Sequence, residues 1–84
     1  MEYFEHVKEV TPIDNHRLAV RFAGGSRGVF DCSRYMQDRF WEHLREESYF
    51  RQVSTDHGVL TWPDGTDIAP EEVWEGTVRE SAAE

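Results

Sequence analysis

Apolar and polar positions alternate most clearly at Arg17-Leu18-Ala19-Val20-Arg21-Phe22, with Leu18, Val20 and Phe22 on one side and Arg17, Ala19 and Arg21 on the other. A period of two belongs to a half-buried strand, so the arginines are expected to face outward. Gly24-Gly25 supplies positions that tolerate positive φ, and Arg27-Gly28-Val29-Phe30 resumes the pattern, which predicts a hairpin over residues 17–31. Upstream, Val7 and Val10 precede Pro12 and predict a first strand from His6 to Thr11, ended by the proline and followed by turn chemistry in Asp14-Asn15-His16.

After Asp31 the period changes. Asp31 and Ser33 are good helix N-caps, and Tyr35-Met36, Phe40-Trp41 and Leu44 have spacings that suit one or two short helices. A further short helix is expected from Glu46 to Gln52, with Ser48 near its start and Tyr49, Phe50 and Val53 turned inward. Val53 to Asp56 and Val59 to Trp62 flank His57-Gly58 as a second hairpin, which Pro63 stops. Trp62-Pro63-Asp64-Gly65-Thr66-Asp67 is a strong turn signal, and Pro70 before Glu71 and Glu72 suits the first turn of a last, single-turn helix. These elements predict an α+β fold: a small antiparallel sheet built from two β-hairpins, with short helices packed on one face. Residues 1–76 are expected to form the single domain and residues 77–84, small and charged, a frayed C-terminal tail.

Composition narrows the classes. At 84 residues the chain holds one domain, and its core must come from a few large side chains, for which 3 Trp, 3 Tyr and 5 Phe are the material. Cys32 is the only cysteine, which excludes an intramolecular disulfide and a four-cysteine zinc site and points to a reducing, cytoplasmic setting. No window approaches the ~18 apolar residues of a membrane span, and the first residues are acidic, unlike a secretion signal. The net charge of -8 opposes a phosphate backbone on average. Yet seven of the eight arginines lie between Arg17 and Arg51, while acids dominate after residue 55, so the middle of the chain can still present a basic patch.

Taken in order, Leu18-x-Val20-x-Phe22, Gly25, Val29-x-Asp31, Phe40-x-x-Leu44, Tyr49-Phe50-x-x-Val53 and Trp62-Pro63-Asp64-Gly65-x-Asp67-x-x-Pro70 resemble a bacterial family, the domain of unknown function twenty-four forty-two. The resemblance runs from about Val7 to Trp74, and the Trp-Pro-Asn/Asp-Gly-x-Asp signature is its most specific part. Asp64 stands where such proteins often carry Asn, and Trp74 where Tyr is common. The resemblance implies a binding role, since some members look like partners of a second small protein in toxin-antitoxin type gene pairs. Others carry an added helix-turn-helix segment, for which this chain is too short.

Cys32 lies near a helix start, where a thiol pKa can fall, but it has no identifiable base partner and reads as core or a packed cap. His6, His16, His43 and His57 lack the spacing that puts two imidazoles on one helix face, so no metal site is expected. Gly24-Gly25-Ser26-Arg27-Gly28 lacks the phosphate-loop lysine and precedes a strand, so no nucleotide cofactor is expected there, or any other cofactor elsewhere. Asp64 and Asp67 could pair for acid-base work or a small ligand, against the plainer reading that they shape the turn and anchor the next segment. Arg17, Arg21 and Arg27 on the first hairpin are the nucleic-acid alternative. The favoured expectation is a non-enzymatic module whose partner is another small protein or itself, with no membrane. Its contacts would be Trp62, Pro63, Asp64, Asp67 and Trp74, because aromatic residue types are enriched at binding hot spots.

Overall fold

The computed structural model describes residues 3–79. Its strands are β1 (Val7–Ile13), β2 (Arg17–Phe22), β3 (Arg27–Asp31), β4 (Ser54–Asp56), β5 (Val59–Thr61), β6 (Asp67–Ile68) and β7 (Thr77–Arg79). Two 3-10 helices, Ser33–Gln37 and Arg39–Arg45, and the helices α1 (Glu47–Phe50) and α2 (Pro70–Gly76) join them. The fold is α+β, with the strands divided between two antiparallel sheets, β1-β2-β3-β7 and β4-β5-β6.

The first hairpin follows its alternation. Leu18, Val20 and Phe22 are buried, and Leu18 pairs with buried Phe30 across β3. Its entry turn places both Asn15 and His16 at positive φ, 58° and 57°, the geometry of a type I′ hairpin turn, closed by the Arg17 N–H on the Asp14 carbonyl at 3.2 Å. The strand before that turn does not stop at the proline: β1 continues to Ile13, with Pro12 opposite Leu18. Proline is tolerated there because β1 is the edge of its sheet, where a missing N–H breaks no ladder bond.

Aspartate turns interrupt the helical middle. Asp31 accepts the Ser33 N–H at 2.8 Å just before the first 3-10 helix, whose N-cap is Cys32, and Asp38, in extended conformation between the two 3-10 helices, caps the second by accepting the Phe40 N–H at 2.9 Å. Such local side-chain bonds cut the segment into short pieces instead of one continuous α-helix. In the second sheet His57 and Gly58 both adopt positive φ at the hairpin. The third strand, β6, pairs Ile68 with Leu60 and is too short for its sequence to show a period. Helix α2 runs seven residues rather than a single turn, with Pro70 at its start.

Residues 77–79, expected to belong to the tail, are paired in a strand instead. Thr77–Arg79 is strand β7, with Val78 opposite Val29 and Thr77 opposite Phe30, while residues 80–84 lie outside the described residues. Two features hold it. The buried Thr77 hydroxyl donates to the Val73 carbonyl at 2.6 Å, and Gly28 leaves room for the crossing backbone. A Cβ on Gly28 would stand 2.7 Å from the Arg79 Cα and press on the Val78 carbonyl.

One core joins both sheets. The inner face of the larger sheet meets Leu44, Phe50, Leu60, Trp62, Ile68 and Val73, all buried. Each such side chain stabilises the fold by about 1.5–3 kcal/mol. The opposite face carries three cross-strand rows: Ile13, Arg17 and Asp31; Thr11, Ala19, Val29 and Val78; and Glu9, Arg21 and Arg27. These residues are exposed or half-buried. Among the described residues no helix is long and apolar enough to cross a membrane.

Candidate functional site

The turn after β5 is a knot of hydrogen bonds. The Gly65 N–H returns to the Trp62 carbonyl at 2.9 Å, with Gly65 at φ 95°, and the Trp62 N–H donates to the Thr66 carbonyl at 2.9 Å. Asp64 accepts the Thr66 N–H at 3.0 Å, as turn-forming aspartates do, while its own N–H donates to the Tyr49 hydroxyl at 2.9 Å. The Asp64 Oδ2 lies 2.9 Å from His43 Nε2, which is also 2.9 Å from the Thr66 hydroxyl. The turn thus ties the second 3-10 helix, α1 and the second sheet together.

That arrangement bears directly on chemistry. The Thr66 backbone N–H, with smaller help from the Tyr49 hydroxyl and His43, holds the Asp64 carboxyl below the usual carboxylate range. A general acid or base working near neutral pH needs the opposite shift. Asp67 is exposed on β6 opposite Thr61 and is not among the groups that perturb Asp64. His43, Tyr49 and Thr66 carried no signal of their own, because their meeting depends on chain separations of about 15 to 23 residues.

Of the residues expected to contact a partner, Trp62 takes no part in the outer surface. It is 2% exposed, and its indole N–H donates to the Phe50 carbonyl at 2.9 Å, so it fastens the end of β5 to the end of α1. Pro63, Asp64 and Asp67 are exposed around it. Trp74 belongs to a different cluster: its half-buried ring meets Phe22 and Tyr3 edge-on, at 4.8 and 5.7 Å between centroids, and carries the Arg79 guanidinium 4.1 Å from its centroid.

Arg17, Arg21 and Arg27 do share the outer face of the larger sheet, with Arg21 directly opposite Arg27. Arg17 is matched by Asp14 at 2.7 Å and Arg21 by Glu9 at 2.9 Å, which lowers the positive potential offered to a phosphate. Between the charged rows runs the apolar row of Ala19, Val29 and Val78, ending at the sheet edge where Val78 is 78% exposed. The sequence signal for Val78 was present only as a single valine in a polar stretch.

Cys32 is buried and its thiol is pushed up to about 12, first by desolvation and then by Asp31. A thiol in that state is a packing group, not a nucleophile. Among the described residues no three His, Cys, Asp or Glu side chains gather where they could hold a metal ion.

No curated protein and no solved structure matches the chain. A family model, described as protein of unknown function (DUF2442), matches residues 7–79, from the start of β1 to the end of β7. The match covers the whole of both sheets and the core between them, and the chain belongs to the DUF2442 family.

Proposed function

We propose that this protein is a non-enzymatic interaction module that binds another small protein in an antitoxin-like or regulatory role. The outer face of the β1-β2-β3-β7 sheet, with the edge of β7, is the docking surface. The observation that carries the reading is the row of Ala19, Val29 and Val78, which ends on an edge strand with Val78 78% exposed. An edge strand presents unpaired backbone donors and acceptors, and a partner strand added there gains ladder hydrogen bonds while covering the valines. The flanking Glu9–Arg21 and Asp14–Arg17 pairs give a polar rim of both signs, as interfaces have around an apolar centre.

Co-expression with the protein encoded beside it is expected to give a stoichiometric complex on a sizing column at micromolar concentration. Val78→Glu, at an exposed position, is expected to weaken that complex at least ~tenfold while the melting temperature stays put. Clean separation of the two proteins counts against the reading. Elution of this chain alone as a concentration-dependent dimer, lost in Val78→Glu, would make a second copy the occupant. Nucleic-acid binding that weakens steeply with salt and collapses in Arg17→Ala plus Arg21→Ala would transfer the same face to the alternative reading.

A further inference from the structure

A second surface adjoins the end of β7. Tyr3 and Phe4, from the segment before β1, and Glu71 and Glu75, one turn apart on α2, line a cleft of about 250 Å³. This is smaller than the ~300–1,000 Å³ of pockets that hold a drug-sized molecule, so the cleft is matched to one side chain rather than to a whole small ligand. A lining of two aromatic residues and two glutamates has the chemistry of a cation site: ring faces attract a positive group through their quadrupole, and carboxylates accept its hydrogen bonds. Among the described residues neither the Glu71 nor the Glu75 carboxylate has a hydrogen-bond or ion-pair partner.

The adjoining ring indicates which cation fits. Tyr3 packs edge-on against Trp74, and Trp74 carries the Arg79 guanidinium 4.1 Å from its centroid, with an Arg79 N–H bonded to the Trp74 carbonyl at 2.6 Å. A planar guanidinium can stack on an aromatic wall and donate to both carboxylates at once, which a compact ammonium cannot. The net charge of -8 also favours the approach of a basic partner. We infer that the Tyr3–Phe4–Glu71–Glu75 cleft captures the guanidinium of an arginine-bearing peptide segment.

The test uses the full chain and two synthetic peptides, hexa-arginine and hexa-citrulline, followed by amide chemical shifts. Saturable shifts centred on Tyr3, Phe4 and residues 71–75 are expected with hexa-arginine and not with hexa-citrulline. Glu71→Gln plus Glu75→Gln is expected to reduce affinity about tenfold or more, since charge-assisted hydrogen bonds are the strong ones. The charge-matched control, Glu42→Gln plus Glu46→Gln, is expected to change affinity less than about threefold, the residue of a general electrostatic effect. Equal losses in the two double variants, equal binding of hexa-citrulline, or no localised shift at millimolar peptide each overturns the inference. The sheet-face complex is read separately on the sizing column, so the two outcomes are distinguishable.

Discussion

Replacing Trp62 by Phe asks whether this tryptophan is a structural fastener or a contact residue. In the fold its indole N–H reaches the Phe50 carbonyl at 2.9 Å, with Trp62 2% and Phe50 0% exposed. Phenylalanine keeps a ring in the core but removes the donor. The Phe50 carbonyl keeps the Val53 N–H at 3.3 Å, so the lost indole hydrogen bond costs about 0.5–1.5 kcal/mol, and the space left by the smaller ring adds about 1 kcal/mol. The expected loss is therefore about 1.5–2.5 kcal/mol. A chain of 84 residues has roughly 4–13 kcal/mol of total stability, so the variant should remain folded but be clearly weakened. Urea unfolding followed by far-ultraviolet circular dichroism avoids the fluorescence change that the substitution itself brings. With a slope near ~1 kcal/mol/M the midpoint should fall by about 1.5–2.5 M. A change below ~0.5 kcal/mol, the size of an ordinary surface substitution, would refute the fastening role and return Trp62 to the partner surface.

Gly28→Ala should destabilise by about 1–3 kcal/mol and expose the Thr77 and Val78 amides to hydrogen exchange, because the added Cβ meets the backbone of β7. Unchanged protection there would mean that β7 is not held where the fold places it. The Cys32 thiol should react with a disulfide reagent at pH 8 only as fast as the protein opens, and promptly in denaturing urea; stoichiometric labelling of the native protein within seconds would contradict its burial. Asp31 and Asp64 are held below the usual carboxylate range, each chiefly by a backbone N–H two residues on, from Ser33 and Thr66. A folded pKa below the unfolded one means that their contribution is complete above about pH 4 and is lost as pH falls through the folded values. Asp31→Asn plus Asp64→Asn should therefore flatten the fall of the urea midpoint on acidification, and an undiminished fall would show that other carboxylates carry it.

The larger hairpin and its buried face were legible because alternation over six residues leaves only one face apolar. The turns at Asn15-His16, His57-Gly58 and Gly65 were legible for a different reason: few residues accept positive φ, and those that do stand out in a sequence. The misreadings share a cause. Pro12 reads as a stop because its backbone is unfit for a ladder, but fitness depends on whether a strand lies at an edge, which a linear pattern does not contain. Trp62 and Trp74 look alike as residue types enriched at binding hot spots and lie in separate places, one under the surface and one half out of it.

By itself the sequence determined the class of fold, the inward face of the first hairpin, the tight turns and the family, since each depends on residues near one another in the chain. Only the tertiary structure decided what lies at a distance. It divided the strands into two sheets and brought β7 back across β3, where the missing side chain of Gly28 makes room. It gathered His43, Tyr49 and Thr66 onto Asp64, and placed Tyr3 and Phe4 against Glu71 and Glu75. Those meetings follow from how the whole core closes, and no local preference of the chain encodes them.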